Sequence, residues 1–182
     1  YTKEFSTGST HQNFSIETRQ VTVPLQQLPD LETAADQFNQ VQKRVVELAA
    51  QGAPKAVIYP QMLVERWAKG VLEKVESGVT EENLTFEIQG IRLDDFVLLT
   101  MPGEPFVEIG LEAKENSSAK VTMFAGYCNG IQAYWPSPKT INVGGMAVES
   151  AVKTYNNSAP PVAETAEIIV NDFSRLSHAL VS

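Results

Sequence analysis

The sequence predicts an α/β protein with mixed layers, in which a mixed sheet of about five strands packs with about four amphipathic helices. Two patterns support this fold class. Several short stretches alternate apolar and polar residues or are continuously apolar, as half-buried and buried strands are. Longer stretches repeat apolar residues at the spacing of a helix face. With 182 residues the chain is long enough for one domain with its own core, and we expect residues 1–182 to form a single domain.

The first part of the chain predicts one strand and two helices. Residues 1–18 are polar and predict a loop. Alternation from Thr18 to Pro24 predicts a strand with one buried face. Apolar residues at helical spacing from Leu31 onwards predict a helix that ends at Gly52. A second helix is predicted from Pro60 to Ser77, with its proline in the first turn.

A hairpin and a helix are predicted next. Leu84 to Ile91 alternates as a strand does, and Phe96 to Thr100 is a short apolar run. The intervening Asp94 and Asp95 could form an acid/base or metal dyad, but aspartate is also favoured in tight turns, and we interpret the pair as a turn. Phe106 to Ala113 predicts a helix.

The C-terminal part predicts one more strand and further helices. Lys120 to Ala125 reads as a buried strand, and Tyr134 to Thr140, which contains two prolines, as an irregular arm. A short helical pattern then runs to Val152, and the last amphipathic helix is predicted from Val162 to Leu180.

The composition excludes several classes of function. A net charge of −8 argues against a nucleic-acid partner, because binding to phosphates requires a basic surface. No apolar run approaches the roughly 18 residues of a transmembrane segment. The single cysteine, Cys128, excludes an internal disulfide and is interpreted as a small buried residue.

The two histidines, His11 and His178, are too few for a His-rich metal site or a Ser–His–Asp triad built from this chain alone. We expect both to be exposed or to cap a helix. Four Asn-x-Ser/Thr sequons are consistent with a secreted protein. The chain opens on Tyr1 and lacks a signal peptide, so we expect it to be a processed or truncated chain.

The stretch from Phe96 to Tyr134 contains the candidate functional residues. Glu104 follows a buried strand and a Pro-Gly turn, and Tyr134 follows the next buried strand. Polar groups just beyond the ends of buried strands often form the sites of α/β proteins. Spacing alone leaves two readings open for Glu104 and Tyr134, namely half of a site or ordinary loop residues. A carboxylate at a helix N-terminus is also stabilised by the helix dipole without any ligand.

Short motifs in this stretch have a recognisable order and spacing. They are Gly90-Ile91-Arg92-Leu93, Phe96-Val97-Leu98-Leu99, Pro102-Gly103-Glu104-Pro105, Gly126-Tyr127-Cys128-Asn129, Tyr134 and Gly144-Gly145. Together they resemble the C-terminal half of the catalytic domain of the neutral/alkaline ceramidases, including shorter bacterial relatives of that family. The resemblance covers about residues 84–180 and implies that the chain is the C-terminal portion of a larger catalytic domain.

The resemblance implies a zinc-dependent hydrolase that cleaves the amide bond of an N-acyl lipid or a similar small molecule. Glu104 and Tyr134 match the positions at which the family supplies two zinc ligands. The family completes its site with two histidines and a serine, which lie N-terminal to these positions and are absent from this chain. The resemblance thus implies a partner, the missing N-terminal part of the same protein, and a secreted, periplasmic or cell-surface location.

Two departures from the family pattern support an alternative. Residues 1–83 contain only His11 and no match to the family's histidine or serine motifs. Met146 stands where the family has a tyrosine that helps to stabilise an oxyanion, and a thioether cannot donate a hydrogen bond. The chain alone is therefore not expected to be active, and the alternative to an enzyme is an inactive ceramidase-like binding or structural module.

Overall fold

The computed structural model describes residues 13–182 of the chain. Two long helices, two small sheets and a C-terminal helix form its framework. In chain order the elements are β1 (Phe14–Pro24), α1 (Leu31–Ala50), α2 (Lys55–Glu76), β2 (Asn83–Leu93), β3 (Phe96–Thr100), β4 (Glu104–Pro105), α3 (Val107–Glu115), β5 (Val121–Ala125), β6 (Tyr134–Trp135), α4 (Pro138–Val143), a π-helical turn (Met146–Ser150), α5 (Ala151–Tyr155) and α6 (Thr165–Val181).

The main sheet has four strands in the order β1-β2-β3-β5. The β1–β2 and β2–β3 pairs are antiparallel, whereas β3 and β5 are parallel and are connected through α3. Such a parallel pair needs a crossover connection, and α3 provides it. Strands β4 and β6 form a separate two-stranded parallel sheet. The predicted α/β class with a mixed sheet is confirmed.

The core lies between one face of the main sheet and α6. Phe173 and Ile169 of α6 are fully buried, as are Val97 and Leu99 of β3. Burying each such side chain contributes about 1.5–3 kcal/mol relative to exposure. Trp135 is also fully buried, and its ring centroid lies 4.4 Å from that of Phe86.

The opposite face of the main sheet carries a second set of apolar side chains, and we call this set the open face. The strand register aligns its members in two rows that cross all four strands. Five of them are exposed large apolar residues, namely Phe14, Ile16, Leu93, Val121 and Met123. The rows are Phe14, Leu93, Phe96 and Val121, and then Ile16, Ile91, Leu98 and Met123.

Helices α1 and α2 form an antiparallel hairpin beside the sheet. The Asp30 side chain caps α1 by accepting a hydrogen bond from the backbone N–H of Thr33 at 2.7 Å. The hairpin is attached to the rest of the molecule by an apolar cluster, in which Val75 of α2 packs against Leu25 and Ala159, and by polar contacts. Lys74 of α2 donates to the Glu82 carboxylate at 2.7 Å and to the Ser158 hydroxyl at 2.5 Å.

Several predicted boundaries are wrong. Strand β1 begins at Phe14 rather than Thr18, because residues 14–18, in which apolar Phe14 and Ile16 alternate with polar residues, pair with the end of β2. Helix α2 begins at Lys55 rather than Pro60, so Pro60 lies inside the helix in its second turn. There it removes one backbone hydrogen bond and crowds the Ala56 carbonyl, a local cost that the rest of this long helix outweighs. The predicted irregular arm from Tyr134 to Thr140 instead contains β6 and the start of α4.

Other local predictions are confirmed. Asp94 and Asp95 form the β2–β3 turn, and Asp95 pairs with Lys120 at 2.9 Å instead of forming a dyad. His178 is exposed in the last turn of α6, whereas His11 lies outside the described residues.

The predicted burial of Cys128 is wrong. Its side chain is only half-buried, because Cys128 lies in a loop and not in the sheet. Among residues 13–182, no helix combines the length and apolar character required to cross a membrane.

Candidate functional site

A tight turn after β3 positions Glu104. Gly103 has a φ of 77°, a left-handed conformation that glycine adopts without steric cost. A Cβ atom at this position would lie 2.4 Å from the Ala133 carbonyl oxygen and 2.5 Å from Trp135 Nε1. The buried Trp135 indole donates to the Pro102 carbonyl at 2.7 Å, so it fixes the same turn from the other side. The Pro-Gly pair therefore sets the direction in which the chain enters β4.

The β4–β6 pair brings the two predicted residues together. Glu104 and Tyr134 are register partners in this parallel pair, and the Glu104 backbone N–H donates to the Ala133 carbonyl at 2.9 Å. Both side chains are half-buried. Two residues that are distant in the sequence are thus neighbours at the end of β3, where the sequence pattern predicted functional groups.

Two further tyrosines contact Glu104, and sequence analysis missed both. The Tyr127 hydroxyl donates to Oε2 of Glu104 at 2.5 Å, and the Tyr155 hydroxyl donates to Oε1. The Tyr155 ring also lies 5.9 Å from the Tyr134 ring, measured between centroids. Glu104 is therefore surrounded by three phenols from three separate segments, and we call these four residues the Glu104 cluster.

The sequence contained a signal for one of the missed residues. Tyr127 lies two residues after the end of β5, as Glu104 lies shortly after the end of β3, so the same rule about strand ends applies to it. Tyr127 has a φ of 58°, and its backbone N–H donates to the Gly103 carbonyl at 2.9 Å. This backbone conformation directs its side chain across the turn towards Glu104. Tyr155 has no such signal, because it ends the short helix α5, 51 residues beyond Glu104.

The cluster favours an ionised Glu104. Partial burial raises the pKa of the Glu104 carboxyl, whereas hydrogen bonds from Tyr127, Tyr134 and Tyr155 lower it. The lowering is the larger effect, so the pKa of Glu104 is below its usual value. Hydrogen bonds to the charged form stabilise that form. The site therefore presents a fixed negative charge at neutral pH.

The same contacts favour neutral phenols. The hydrogen bond of Tyr127 to Glu104 is the main cause of its raised pKa, which is about 12. For Tyr134 the hydrogen bond to Glu104 is likewise the main cause of a raised pKa. For Tyr155 burial is the largest cause of a raised pKa, followed by the hydrogen bond to Glu104. All three phenols are thus hydrogen-bond donors over the physiological pH range.

The described residues supply half of a metal site at most. Between residues 13 and 182, no three His, Cys, Asp or Glu side chains gather where they could hold a metal ion. Glu104 offers a carboxylate and Tyr134 a phenol oxygen, whereas a catalytic zinc ion usually has three protein ligands and one open position. Met146 begins the π-helical turn and is 67% exposed. Chemically, the cluster can hold a cation against Glu104 or donate protons in hydrogen bonds from its phenols.

Comparison with known proteins gives one structural match. No family model matches the chain, and no curated protein sequence matches it. Among solved structures, the chain is similar to the neutral ceramidase from Pseudomonas aeruginosa, with a TM-score of 0.41 and 20% sequence identity. The match covers 53% of this chain and 15% of that enzyme.

Proposed function

We propose that this chain forms part of a zinc-dependent hydrolase resembling neutral ceramidase, in which Glu104 and Tyr134 supply two of the zinc ligands. The pairing of these two residues as neighbours in β4 and β6 is the observation that carries the proposal. A carboxylate is a common zinc ligand, and the lowered pKa of Glu104 keeps it in the ionised form that coordination requires.

The two donors fit half of a coordination sphere. The other ligands would come from residues outside this chain, and the resemblance implies two histidines for this role. The chain would then be the C-terminal portion of a larger catalytic domain whose remaining part is its partner. An N-acyl lipid or similar small molecule is the proposed substrate, and a secreted, periplasmic or cell-surface location goes with it.

Each residue of the cluster has a definable task in this proposal. When bound, zinc polarises the amide carbonyl and lowers the pKa of the attacking group. Glu104 provides the negative charge that holds the cation. Tyr127 and Tyr155 orient the carboxylate, since each hydroxyl donates to one of its two oxygens. Tyr134 must release its proton to coordinate, and the raised pKa of its phenol opposes this release. Metal binding should therefore strengthen as pH rises.

One observation favours the alternative of an inactive binding or structural module. Both oxygens of Glu104 already accept hydrogen bonds from Tyr127 and Tyr155, so its charge is stabilised without a metal ion. In such a module the cluster would serve to hold β4, β5 and α5 together.

Metal analysis and an amide-hydrolysis assay distinguish the two functions. Both should be performed on the protein as its gene encodes it, with a fluorogenic N-acyl sphingosine as substrate. We expect stoichiometric zinc in the wild type, and loss of both zinc and hydrolysis in Glu104→Gln. Glu108→Gln is the matched control, because Glu108 is an exposed carboxylate in the first turn of α3, outside the cluster. Absence of zinc from the wild type, or equal zinc content in Glu104→Gln, would refute the enzyme proposal and favour the module.

A further inference from the structure

A cleft of about 280 Å³ adjoins the Glu104 cluster, and we call it the α3 cleft. It lies between α3 and β5, and its lining extends past the carboxyl end of β5 to Gly126 and Tyr127. Crevices at this place in α/β sheets are common ligand-binding sites. Its lining includes Pro105, Phe106, Leu111, Lys114, Phe124 and Tyr127.

The walls of the α3 cleft include large apolar side chains that are exposed to solvent. Val107 is 70% exposed, Leu111 is 47% exposed and Tyr127 is 62% exposed, and all three line the cleft. Covering such side chains with an apolar group is favourable, because it removes their surface from water. A hydrocarbon chain or ring is therefore the chemical group that fits these walls.

One end of the α3 cleft reaches the functional cluster directly. Tyr127 lines the cleft, and its hydroxyl donates to Glu104 at 2.5 Å. Pro105, which also lines it, is the next residue after Glu104 in β4. A molecule that occupies the cleft would thus have one end beside Glu104.

The other end carries a positive charge. Lys114 lies in the last turn of α3, seven residues after Val107, and this separation corresponds to roughly 10 Å along the helix axis. Within residues 13–182, Lys114 makes no ion pair, whereas Lys74 and Lys120 each pair with a carboxylate. An anionic group at this end would find an available partner.

We propose that the α3 cleft binds the acyl part of the substrate, and that this acyl chain carries an anionic group at the end remote from the bond that is cleaved. The identity of the hydrocarbon as an acyl group and the position of the cleaved bond beside Glu104 rest on the proposed function. The apolar walls would select the hydrocarbon, and Lys114 would select the charge. The substrate class is thus an N-acyl compound with a medium-length acyl chain that ends in a carboxylate or a similar anion.

Calorimetric titration with simple amphiphiles tests this inference without zinc or catalysis. The probes are octanoate, octan-1-ol and octylammonium, which share a hydrocarbon chain and differ in charge. We expect octanoate to bind the wild type more tightly than octan-1-ol does. In Glu104→Gln, which lacks the negative charge at the other end of the cleft, octylammonium should bind least tightly of the three. The variant Lys114→Glu should weaken octanoate binding by about threefold or more, and it should leave octan-1-ol binding unchanged. The control Lys43→Glu reverses an exposed charge on α1, away from the cleft, and should change neither.

A second pair of variants tests the apolar walls. Leu111→Glu places a negative charge inside the cleft and should weaken the binding of octanoate and of octan-1-ol. Val46→Glu makes the matching change at an exposed position of α1 and should weaken neither. Both positions are exposed, so each variant should retain the wild-type circular dichroism spectrum. Failure of octanoate to bind, or equal octanoate affinity in the wild type and Lys114→Glu, would overturn the inference. Octanoate should still bind Glu104→Gln, so a failure of the zinc proposal would leave this test intact.

Discussion

Replacing Gly103 with alanine would test the turn that delivers Glu104 to its cluster. Two costs add at this position. A residue with a Cβ atom in the left-handed conformation costs about 1–2 kcal/mol. In addition, the new Cβ atom would lie 2.4 Å from the Ala133 carbonyl oxygen and 2.5 Å from Trp135 Nε1, so both of these groups must move away from it.

The movement would break a buried hydrogen bond. The Trp135 indole donates to the Pro102 carbonyl at 2.7 Å, and leaving such buried groups unpaired costs about 1–3 kcal/mol. We therefore expect Gly103→Ala to lower the free energy of unfolding by about 2–5 kcal/mol. A loss of this size is a large fraction of the stability of a typical domain.

Urea unfolding monitored by far-UV circular dichroism provides the measurement, with a matched glycine as control. Gly78 has a φ of 86°, but a Cβ atom there would have no neighbour within 4 Å. Gly78→Ala therefore carries only the conformational cost of about 1–2 kcal/mol. If the two variants lost the same free energy to within about 0.5 kcal/mol, the proposed contact with Ala133 and Trp135 would contribute nothing and the reasoning would be refuted.

Two further predictions concern the Glu104 cluster itself. Tyr155→Phe removes a hydrogen bond to the carboxylate and should raise the pKa of Glu104, as measured by ¹³C NMR titration; an unchanged pKa would contradict the assigned contact. The lowered pKa of Glu104 should contribute stability that is fully present above its usual value of 4.5 and is lost as pH falls through the lower pKa of the folded state. The difference in unfolding free energy between the wild type and Glu104→Gln should thus shrink on acidification below pH 4.5, and a constant difference would argue against this linkage.

Features that depend on neighbouring residues could be predicted from the sequence. The β2–β3 hairpin was predicted because two alternating or apolar runs flank a pair of aspartates, and Asp94 adopts the left-handed conformation (φ 53°) that such turns use. The last amphipathic helix was predicted from its apolar stripe, which packs on the sheet through Phe173 and Ile169. In both cases local chemistry and tertiary packing favour the same structure.

Features that depend on distant contacts could not be predicted. Glu104 was identified because a turn follows a buried strand, a pattern that is visible within a few residues. Tyr155 joins it only through the arrangement of α5 against the end of β3, which no local pattern encodes. Similarly, β6 has only two residues, and its pairing with β4 depends on the packing of Trp135 rather than on strand propensity. The sequence therefore identifies Tyr134 as a neighbour of Glu104, but it does not reveal the contacts that Tyr127 and Tyr155 make with Glu104.

The open face of the sheet affects how the purified chain should behave in solution. Two apolar rows cross all four strands, and Phe14, Val121 and Met123 are more than half exposed. Single exposed apolar residues are ordinary, but contiguous ones make a protein bind hydrophobic dyes and adhere to other molecules. Phe14 and Val121 also lie on the two edge strands, β1 and β5, whose outer backbone groups can pair with another chain. We therefore expect the 182-residue chain to enhance the fluorescence of a hydrophobic dye and to associate as its concentration rises, despite its net charge of −8.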